Sequence, residues 1–287
     1  MLKINSFLPD EISYTQSIAS IANVPKRLWL CGDLPPTRVP SVAIVGTRKP
    51  SAYGKEVTYN LSYELAKRGV VIISGLALGV DGIAHQAALD AGGTTIAVLP
   101  TPIEAVHPAT HRELAARIVQ NEGALISEYG ISDGIYKQNF VARNRIVTAL
   151  SDGILITEAA VRSGTSTTAG FALEQGRPVM VVPGNITSPL SAGCNNLLRV
   201  GATPITTVSD ILHELGLQDI SSDQAMLPLP ATKEEALILQ LITGGITDGE
   251  LLHQESRLDA ALFSQTMSML EIEGKIKALG ANNWTVR

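Results

Sequence analysis

The sequence predicts an α/β protein built on a doubly wound, mostly parallel, Rossmann-like sheet, with a small C-terminal winged-helix domain. From Ser41 onward, short aliphatic runs alternate with amphipathic stretches, as in right-handed strand–helix–strand units. The runs are rich in β-branched residues and apolar without alternation, which is typical of strands covered on both faces. Hydrophobic residues make up 45% of the chain and charged residues 17%, which indicates a globular protein.

The elements of residues 1–216 are predicted from the proline content and from the apolar runs. Residues 1–40 contain five prolines and are expected to form short helices and a lead-in strand that cover the sheet. A Rossmann-like domain is then predicted over 41–216. Its strands are predicted at six apolar runs: Val42–Val45, Val70–Ile73, Thr95–Leu99, Ala124–Ile126, Ile154–Ile156 and Val179–Val182. Between the first two runs, apolar residues recur at helical spacing from Val57 to Leu65, and Gly69 is expected to cap that helix.

A second domain is predicted after a linker at 217–230, which contains adjacent serines and two prolines. Within 231–287, capping boxes that begin at Thr232 and Thr247 predict two helix starts, and leucines at helical spacing predict a third helix that ends near Gly274. The remaining residues are typical of a small hairpin. Three short helices and a terminal hairpin are the outline of a winged helix.

The charge distribution limits where a nucleic acid can bind. The net charge is −5, and residues 221–287 hold five basic against nine acidic residues. A local basic site is therefore expected only in residues 1–220, which carry a net charge of −1. Apolar runs shorter than the about 20 residues of a membrane span, an N-terminus without a signal-peptide pattern, and two distant cysteines predict a cytoplasmic protein.

Two loops at predicted strand ends have residues that suit phosphate binding. Gly46 allows close backbone approach, Thr47 offers a hydroxyl and Arg48 a bidentate cation, at the carboxyl end of the first core strand. A tight turn with an exposed arginine is an equally good interpretation of this segment. The pattern lacks the G-x-G-x-x-G fingerprint, so NAD binding is not expected.

The second loop follows the strand at Ile154–Ile156. Arg162 precedes the small hydroxyl-rich run Ser163, Gly164, Thr165 and Ser166, which opens a helix. Unpaired N–H groups and the positive end of the helix dipole favour an anion there, and we weigh this above a plain N-cap with small residues. The loop is not a Walker A motif, since no Gly-Lys-Ser/Thr closes it.

The segment Lys137–Arg145 combines three positive charges with one aromatic ring and no acidic residue. Phe140, Arg143 and Asn144 share a helical face, and a cation cluster beside a stacking ring is typical of a single-stranded nucleic-acid site. A helix with a buried phenylalanine and surface arginines is the competing interpretation, which the segment alone slightly favours.

No catalytic residues, metal ligands or cofactor site are predicted. His107 and His111 are separated by a proline-containing stretch without the glutamate of a zinc motif, and His85 is expected to be structural. The sequence shows neither a Cys–His pair nor a G-x-S-x-G elbow.

Taken together, these segments resemble the DNA-processing protein A family, also called Smf, over residues 25–211. Six separated motifs carry the resemblance: Val45–Arg48, Ser74–His85, Gly123–Tyr129, Phe140–Ile146, Glu158–Thr165 and Gly176–Gly184. The C-terminal residues resemble the winged helix at the end of many members. Only about 40 residues precede the first core strand, so the N-terminal helical module of some members is expected to be lacking.

The resemblance implies a protein that binds single-stranded DNA without hydrolysing it. Such proteins protect incoming DNA during natural transformation, help to load the RecA recombinase onto it and commonly form homodimers. Carried over by position, the DNA-binding pocket comprises Arg48, Lys137, Phe140, Arg143 and Asn144, to which the residues above add Arg145 and Arg162.

A nucleotide-processing enzyme of the phosphoribohydrolase, cytokinin-activating type is the alternative function. That class combines a related sheet with a Gly/Thr helix start and a glutamate that acts as acid and base. Glu174 is the nearest carboxylate downstream of the Ser163 loop. A protein-interaction adaptor is a third, lesser possibility.

Overall fold

The computed structural model describes residues 3–161, 163–217, 232–280 and 282–286. The chain divides into two compact units, Met1–Asp219 and Ile220–Arg287. The predicted linker at 217–230 lies, apart from Leu217, outside the described residues. None of the described helices is long and apolar enough to cross a membrane.

The first unit contains strands and helices in alternation from residue 41 onward. The strands are β1 (Ile4–Phe7), β2 (Leu28–Gly32), β3 (Ser41–Val45), β4 (Val71–Ser74), β5 (Thr95–Leu99), β6 (Ala124–Ser127), β7 (Gly153–Ile156), β8 (Val179–Val181) and β9 (Thr203–Pro204). The helices are α1 (Ala52–Lys67), α2 (Val80–Asp90), α3 (Arg112–Gln120), α4 (Lys137–Ala142), α5 (Asn144–Leu150), α6 (Gly164–Glu174), α7 (Ala192–Arg199) and α8 (Val208–Glu214). All six apolar runs named above form strands.

The sheet confirms the predicted α/β fold with a mostly parallel sheet. Its strand order is β1-β2-β6-β5-β4-β3-β7-β8-β9. All neighbours from β6 to β9 pair in parallel, whereas β1 pairs antiparallel with β2, and β2 antiparallel with β6. The chain builds outward from β3 to β6 on one side and then returns to place β7 on the other side of β3. The strand order therefore reverses at the β3–β7 pair.

Alternate residues of each strand face two helical layers. Ala43 and Val45 pack in a cluster with residues of α5, α6 and α7, whereas Val42 and Ile44 pack with residues of α1, α2 and α8. These four side chains are buried. Coverage on both faces explains why the strand sequences are continuously apolar.

Residues 1–40 were expected to form short helices and one lead-in strand that cover the sheet, and they form two strands and a 3-10 segment. Two strands, β1 and β2, extend the sheet at its edge, and the 3-10 segment Ser13–Ser20 packs on a face, through Tyr14 and Ile18. The prolines lie between these elements, so the pairing positions of the strands keep their backbone donors.

The second unit has its own small core. It comprises α9 (Lys233–Thr243), α10 (Gly249–Ser256), α11 (Ala260–Ile272) and the antiparallel pair β10 (Ile276–Gly280) and β11 (Asn283–Val286). Ile238, Leu252 and Leu270 pack at its centre. This order of elements is that of the predicted winged helix, which stays a prediction.

One helix start in this unit was wrongly predicted. Thr232 caps α9 by accepting the N–H of Glu235, as expected, but α10 is capped by Asp248 instead of Thr247. The Asp248 carboxylate accepts the N–H groups of Glu250 and Leu251. An aspartate is at least as good an N-cap as a threonine, and it takes the position here.

Candidate nucleic-acid interface

The reversal of strand order places a crevice at the carboxyl end of the sheet. From β3 the chain enters α1 on one face, and from β7 it enters α6 on the other face, so their loops separate. In open α/β sheets this position is where ligands bind. Both predicted phosphate loops, at 46–48 and 163–166, start from these two strands.

Gly46 and Thr47 lie against the end of β7 and the start of α2. The Thr47 N–H donates to the Glu158 carbonyl at 2.8 Å, and the Thr47 carbonyl accepts the Val80 N–H at 3.2 Å. Gly79 has a φ of +79°, and a Cβ there would lie 2.4 Å from the Thr47 carbonyl oxygen. Because its backbone groups are already bonded, Thr47 positions the loop, and Arg48 is its exposed charge. Phosphate contact by Gly46 and Thr47 stays a prediction.

Arg48 and Phe140 meet at a small cavity, hereafter the edge cavity. It encloses about 50 Å³ and is lined by Arg48, Gly75, Ala77, Leu78, Pro100, His107, Pro108, Phe140 and Arg143. The Phe140 ring is half-buried and packs edge-on against His107, with centroids 5.2 Å apart. Two residues that are 92 positions apart in the sequence, an exposed cation and an aromatic ring, thus line one depression.

Arg143 forms part of the cavity wall from below. Its side chain is buried, and its guanidinium donates to the carbonyls of Gly75 and Val98 at the ends of β4 and β5. Burial lowers the pKa of Arg143 to about 10, while the nearby Asp81 acts in the opposite direction. The predicted DNA-binding arginine is therefore an anchor between strand ends, and the positive charge lies directly under the cavity.

Asp81 is the buried counter-charge. Its carboxylate accepts the Gly75 N–H at 3.1 Å and the Ala77 N–H at 3.4 Å. Burial raises the pKa of Asp81, and the positive charge of Arg143 opposes that rise. Gly75 is thus held through its N–H by Asp81 and through its carbonyl by Arg143, which fixes the glycine-rich turn beside Arg48.

Asn144 connects this wall to α6. Its Oδ1 accepts from Arg143 Nε at 3.1 Å, and its Nδ2 donates to Thr168 Oγ1 at 2.9 Å. Asn144 therefore positions the start of α6 beside the edge cavity, and the structure gives it this role in addition to the predicted DNA contact.

The start of α6 has one unusual hydroxyl. Ser163 occupies the N-cap position, yet its side chain makes no capping bond, and its Oγ is buried with no hydrogen-bond partner among the described residues. Gly164 and Ser166 are exposed and Thr165 is buried. Arg162 lies outside the described residues. The Ser166 N–H donates to the Ser163 carbonyl at 3.2 Å. The Ser163 hydroxyl and the positive end of the helix dipole suit an anion, and anion binding at this helix start stays a prediction.

Lys137 opens α4 and is exposed, as is the aromatic Tyr136 that precedes it. Both lie on the segment that leads to Phe140. Sequence reasoning did not select Tyr136, although an aromatic residue directly before a lysine is a signal of the same kind as Phe140. It also missed Leu78 and His107 as cavity residues, because nothing in their local pattern indicates a binding role.

Arg145 points away from this site. Its guanidinium forms a bidentate pair with Glu128 at 2.5 and 2.9 Å, and it donates to the carbonyls of Asn23 and Ala142. The side chain is buried. These contacts give Arg145 a structural role, so its predicted DNA contact has no support in the geometry.

The nucleotide-processing alternative is not favoured. Glu174 is the last of the eleven residues of α6, which puts it about 15 Å along the helix axis from the Ser163 loop. The carboxylates buried under the crevice are bonded: Glu158 accepts from Ser51 N and Ser51 Oγ, and Asp81 from the Gly75 turn. Within the described chain, no group of three or more His, Cys, Asp or Glu side chains is placed to hold a metal ion.

The first unit is similar in sequence to a known protein family. Residues 5–216 match the model of the family described as DNA recombination-mediator protein A. Protein Smf of Escherichia coli K12 is 41% identical over 206 residues, which cover 72% of this chain and 55% of that protein. The chain thus spans about half the length of that relative.

Two solved structures are similar to the first unit. The X-ray structure of DNA processing protein A from Streptococcus pneumoniae has a TM-score of 0.69 and 37% identity, covering 74% of each chain. A structure of DNA processing protein A from Helicobacter pylori, described for its single-stranded DNA binding mode, has a TM-score of 0.66 and 34% identity, covering 75% of this chain and 96% of that one. The chain belongs to the DNA recombination-mediator protein A family.

Proposed function

We propose that this protein binds single-stranded DNA at the carboxyl edge of its sheet without hydrolysing it. The edge cavity is the observation that carries the proposal, because it brings Arg48 and Phe140 together at the point where a doubly wound sheet binds ligands. Arg48 and Lys137 supply phosphate contacts, and Phe140 stacks on a base. The single-stranded DNA binding of the Helicobacter pylori relative supports this assignment.

The chemistry of the site supports the proposal of binding without cleavage. Hydrolysis of a phosphodiester needs a general base or a metal-bound water near the phosphate. Asp81 and Glu158 are each bonded to backbone N–H groups, and Asp81 also faces Arg143. The site therefore offers positive charge and a stacking ring to the strand.

In the cell, we assign this binding to the protection of incoming DNA during natural transformation and to the loading of the RecA recombinase onto it. Bound protein would shield the strand from nucleases while it awaits the recombinase. Family membership supports these roles. A homodimer would place two edge cavities on one strand and raise the effective concentration of the second site.

A fluorescence-anisotropy titration with matched single- and double-stranded oligonucleotides tests the binding. Single strands should bind more tightly than duplex, with little sequence dependence, because stacking on Phe140 needs an unpaired base. Affinity should fall with salt, by about 0.7 in the log–log slope for each phosphate contact. Equal affinity for duplex, or no salt-dependent binding, would contradict the proposal.

The cellular roles need separate measurements. Incubation with a nuclease should leave protein-bound single strands intact, and the protein should shorten the lag before RecA assembles on them. Release of a free base from a nucleoside monophosphate would instead restore the enzyme alternative. Sedimentation at several concentrations reports whether the chain dimerises.

A further inference from the structure

A second, larger groove adjoins the edge cavity on the side of α1, α2 and α3. It encloses about 830 Å³, and its wall includes Lys49, Lys55, Tyr59 and Arg117. Arg48 and Leu78 line both the groove and the edge cavity. A strand that leaves the edge cavity past Arg48 therefore enters this groove.

The groove is positively charged in a chain that is negative overall. Among the described lining residues, four are Lys or Arg, and Glu113 is the carboxylate, whereas the whole chain has a net charge of −5. Lys49 and Lys55 are exposed and form no ion pair within the described part of the chain. Arg117 lies 3.8 Å from Asp90 and donates to Gln86. Two lysines and Arg48 thus keep their charges available for an anionic ligand.

Tyr59 supplies an exposed and fixed aromatic ring in the same groove. The ring stacks on Tyr63 at 6.1 Å between centroids, with an angle of 18° between the planes. Its hydroxyl donates to Asp90 at 3.1 Å, and the residue remains 36% exposed. Because the Tyr59 ring is fixed by stacking on Tyr63 and by its hydroxyl bond to Asp90, it loses little side-chain entropy when a base stacks on it.

We propose that this groove binds the continuation of the single strand held at the edge cavity, with Lys49 and Lys55 on phosphates and a base stacked on Tyr59. A positively charged groove with a stacking ring is the combination that binds single strands without sequence preference. The inference rests on the proposed function, since the strand reaches the groove from the edge cavity. An acidic peptide would use the lysines but would gain nothing from the exposed ring.

Oligothymidylates of two lengths separate the groove from the edge cavity. A short strand of about 5 nucleotides is to bind at the edge cavity, and one of about 20 nucleotides is to reach the groove as well. Affinities of the full chain are measured by fluorescence anisotropy over a series of salt concentrations, and each variant is checked for folding by circular dichroism.

Lys55→Gln should lower the salt slope for the long strand by about 0.7 and leave the short strand unchanged. Tyr59→Leu should weaken the long strand about fivefold or more, with the slope unchanged. Lys67→Gln and Tyr53→Leu are matched controls, because both residues are exposed on α1 and do not line the groove. Neither control should alter the affinity for either strand.

If short and long strands bind equally, or if the variants leave long-strand affinity unchanged, the groove does not bind DNA. Such a result would overturn this inference without contradicting DNA binding at the edge cavity. Failure of both strands to bind would remove the proposed function itself. Poly-glutamate that binds with the same dependence on Lys55, while long strands gain nothing over short ones, would make the groove a peptide site and also overturn the inference.

Discussion

Arg143 is a charged residue whose main contacts are inside the protein. Because its buried guanidinium faces the buried Asp81, Arg143→Gln should lower the free energy of unfolding by about 3 kcal/mol or more. Arg48→Gln, at an exposed position, should change it by less than about 0.5 kcal/mol. Urea unfolding followed by circular dichroism measures both, and equal effects would contradict the structural role of Arg143.

Phe140 tests the stacking contact in the edge cavity. Phe140→Ala should weaken single-strand binding by about 1–3 kcal/mol and leave the salt slope unchanged, since the ring carries no charge. Phe140→Leu keeps apolar contact with His107 but removes the aromatic face, so it should lose most of the same affinity. If Phe140→Leu binds as tightly as the unchanged protein, the ring does not stack on a base.

His85 should couple stability to pH. It is fully buried with its Nδ1 at 2.7 Å from Thr95 Oγ1, and burial, with smaller contributions from His111 and Arg143, lowers its pKa to about 3. The unfolded chain binds a proton near pH 6.5 and the folded protein does not, so the stability present above pH 6.5 is lost as the pH falls towards 3.

His85→Gln should flatten this dependence, by up to about 1.4 kcal/mol per pH unit within that window. The measurement is the free energy of unfolding in urea between pH 4 and 8. Parallel curves for the two proteins would show that His85 does not titrate differently on folding.

Sequence reasoning selected most of the residues around the crevice but could not assign their exposure. Arg48, Arg143 and Arg145 look alike in the sequence, and only the fold separates one exposed cation from two buried ones. The partner of Arg145 is Glu128, 17 residues earlier, and the contacts of Arg143 come from β4 and β5. Such long-range pairs leave no local pattern.

Among the elements, two helix starts differ in a way that can be measured. Ser51 caps α1 by accepting the Gly54 N–H at 3.0 Å and also donates to Glu158, whereas the Ser163 hydroxyl at α6 has no partner among the described residues. Ser51→Ala should therefore lower the free energy of unfolding by about 1 kcal/mol, and Ser163→Ala should leave it nearly unchanged.

The same pair of variants reports on binding. If the Ser163 hydroxyl binds a phosphate of the DNA, Ser163→Ala should weaken single-strand binding, measured by anisotropy. The free energy of unfolding in urea should stay constant. A Ser163→Ala protein that is less stable and binds as before would show that the hydroxyl is a plain cap.

Elements were predicted where their signal is periodic and local. The buried parallel strands and α1 follow from aliphatic runs and helical spacing. The positions of the antiparallel strands β1 and β2 could not be predicted within the proline-rich first 40 residues. Strand β9 has only two residues, which is too short for a recognisable pattern. The cap of α10 was predicted at Thr247 but lies at Asp248, because both residues are good caps and they are adjacent in the sequence.

At the scale of the whole molecule, the second unit should not be the DNA-binding part. Residues 221–287 carry five basic and nine acidic residues, and Arg257 is the cation nearest the start of α11. A chain that ends after Gln218 should keep single-strand affinity within a few-fold of the full chain, because the unit's charge repels phosphates. We expect the unit to contact a protein partner.

Anisotropy titration of both chain lengths at one salt concentration is the measurement. A loss of two orders of magnitude in the shortened chain, with its circular dichroism intact, would place DNA contacts in the second unit. The two-unit organisation itself follows from composition, since the polar, proline-containing stretch near 217–230 separates two apolar patterns.

The strand order has a consequence for how the protein is made. The growing chain completes β3 to β6 in sequence, yet one edge of β3 stays unpaired until Gly153–Ile156 has been synthesised. At about 5–20 residues per second, synthesis of those roughly 110 intervening residues leaves an apolar strand edge open for about 5 to 20 seconds. Open strand edges are sites of aggregation, so chaperone demand during synthesis should concentrate on the interval before β7 closes the sheet.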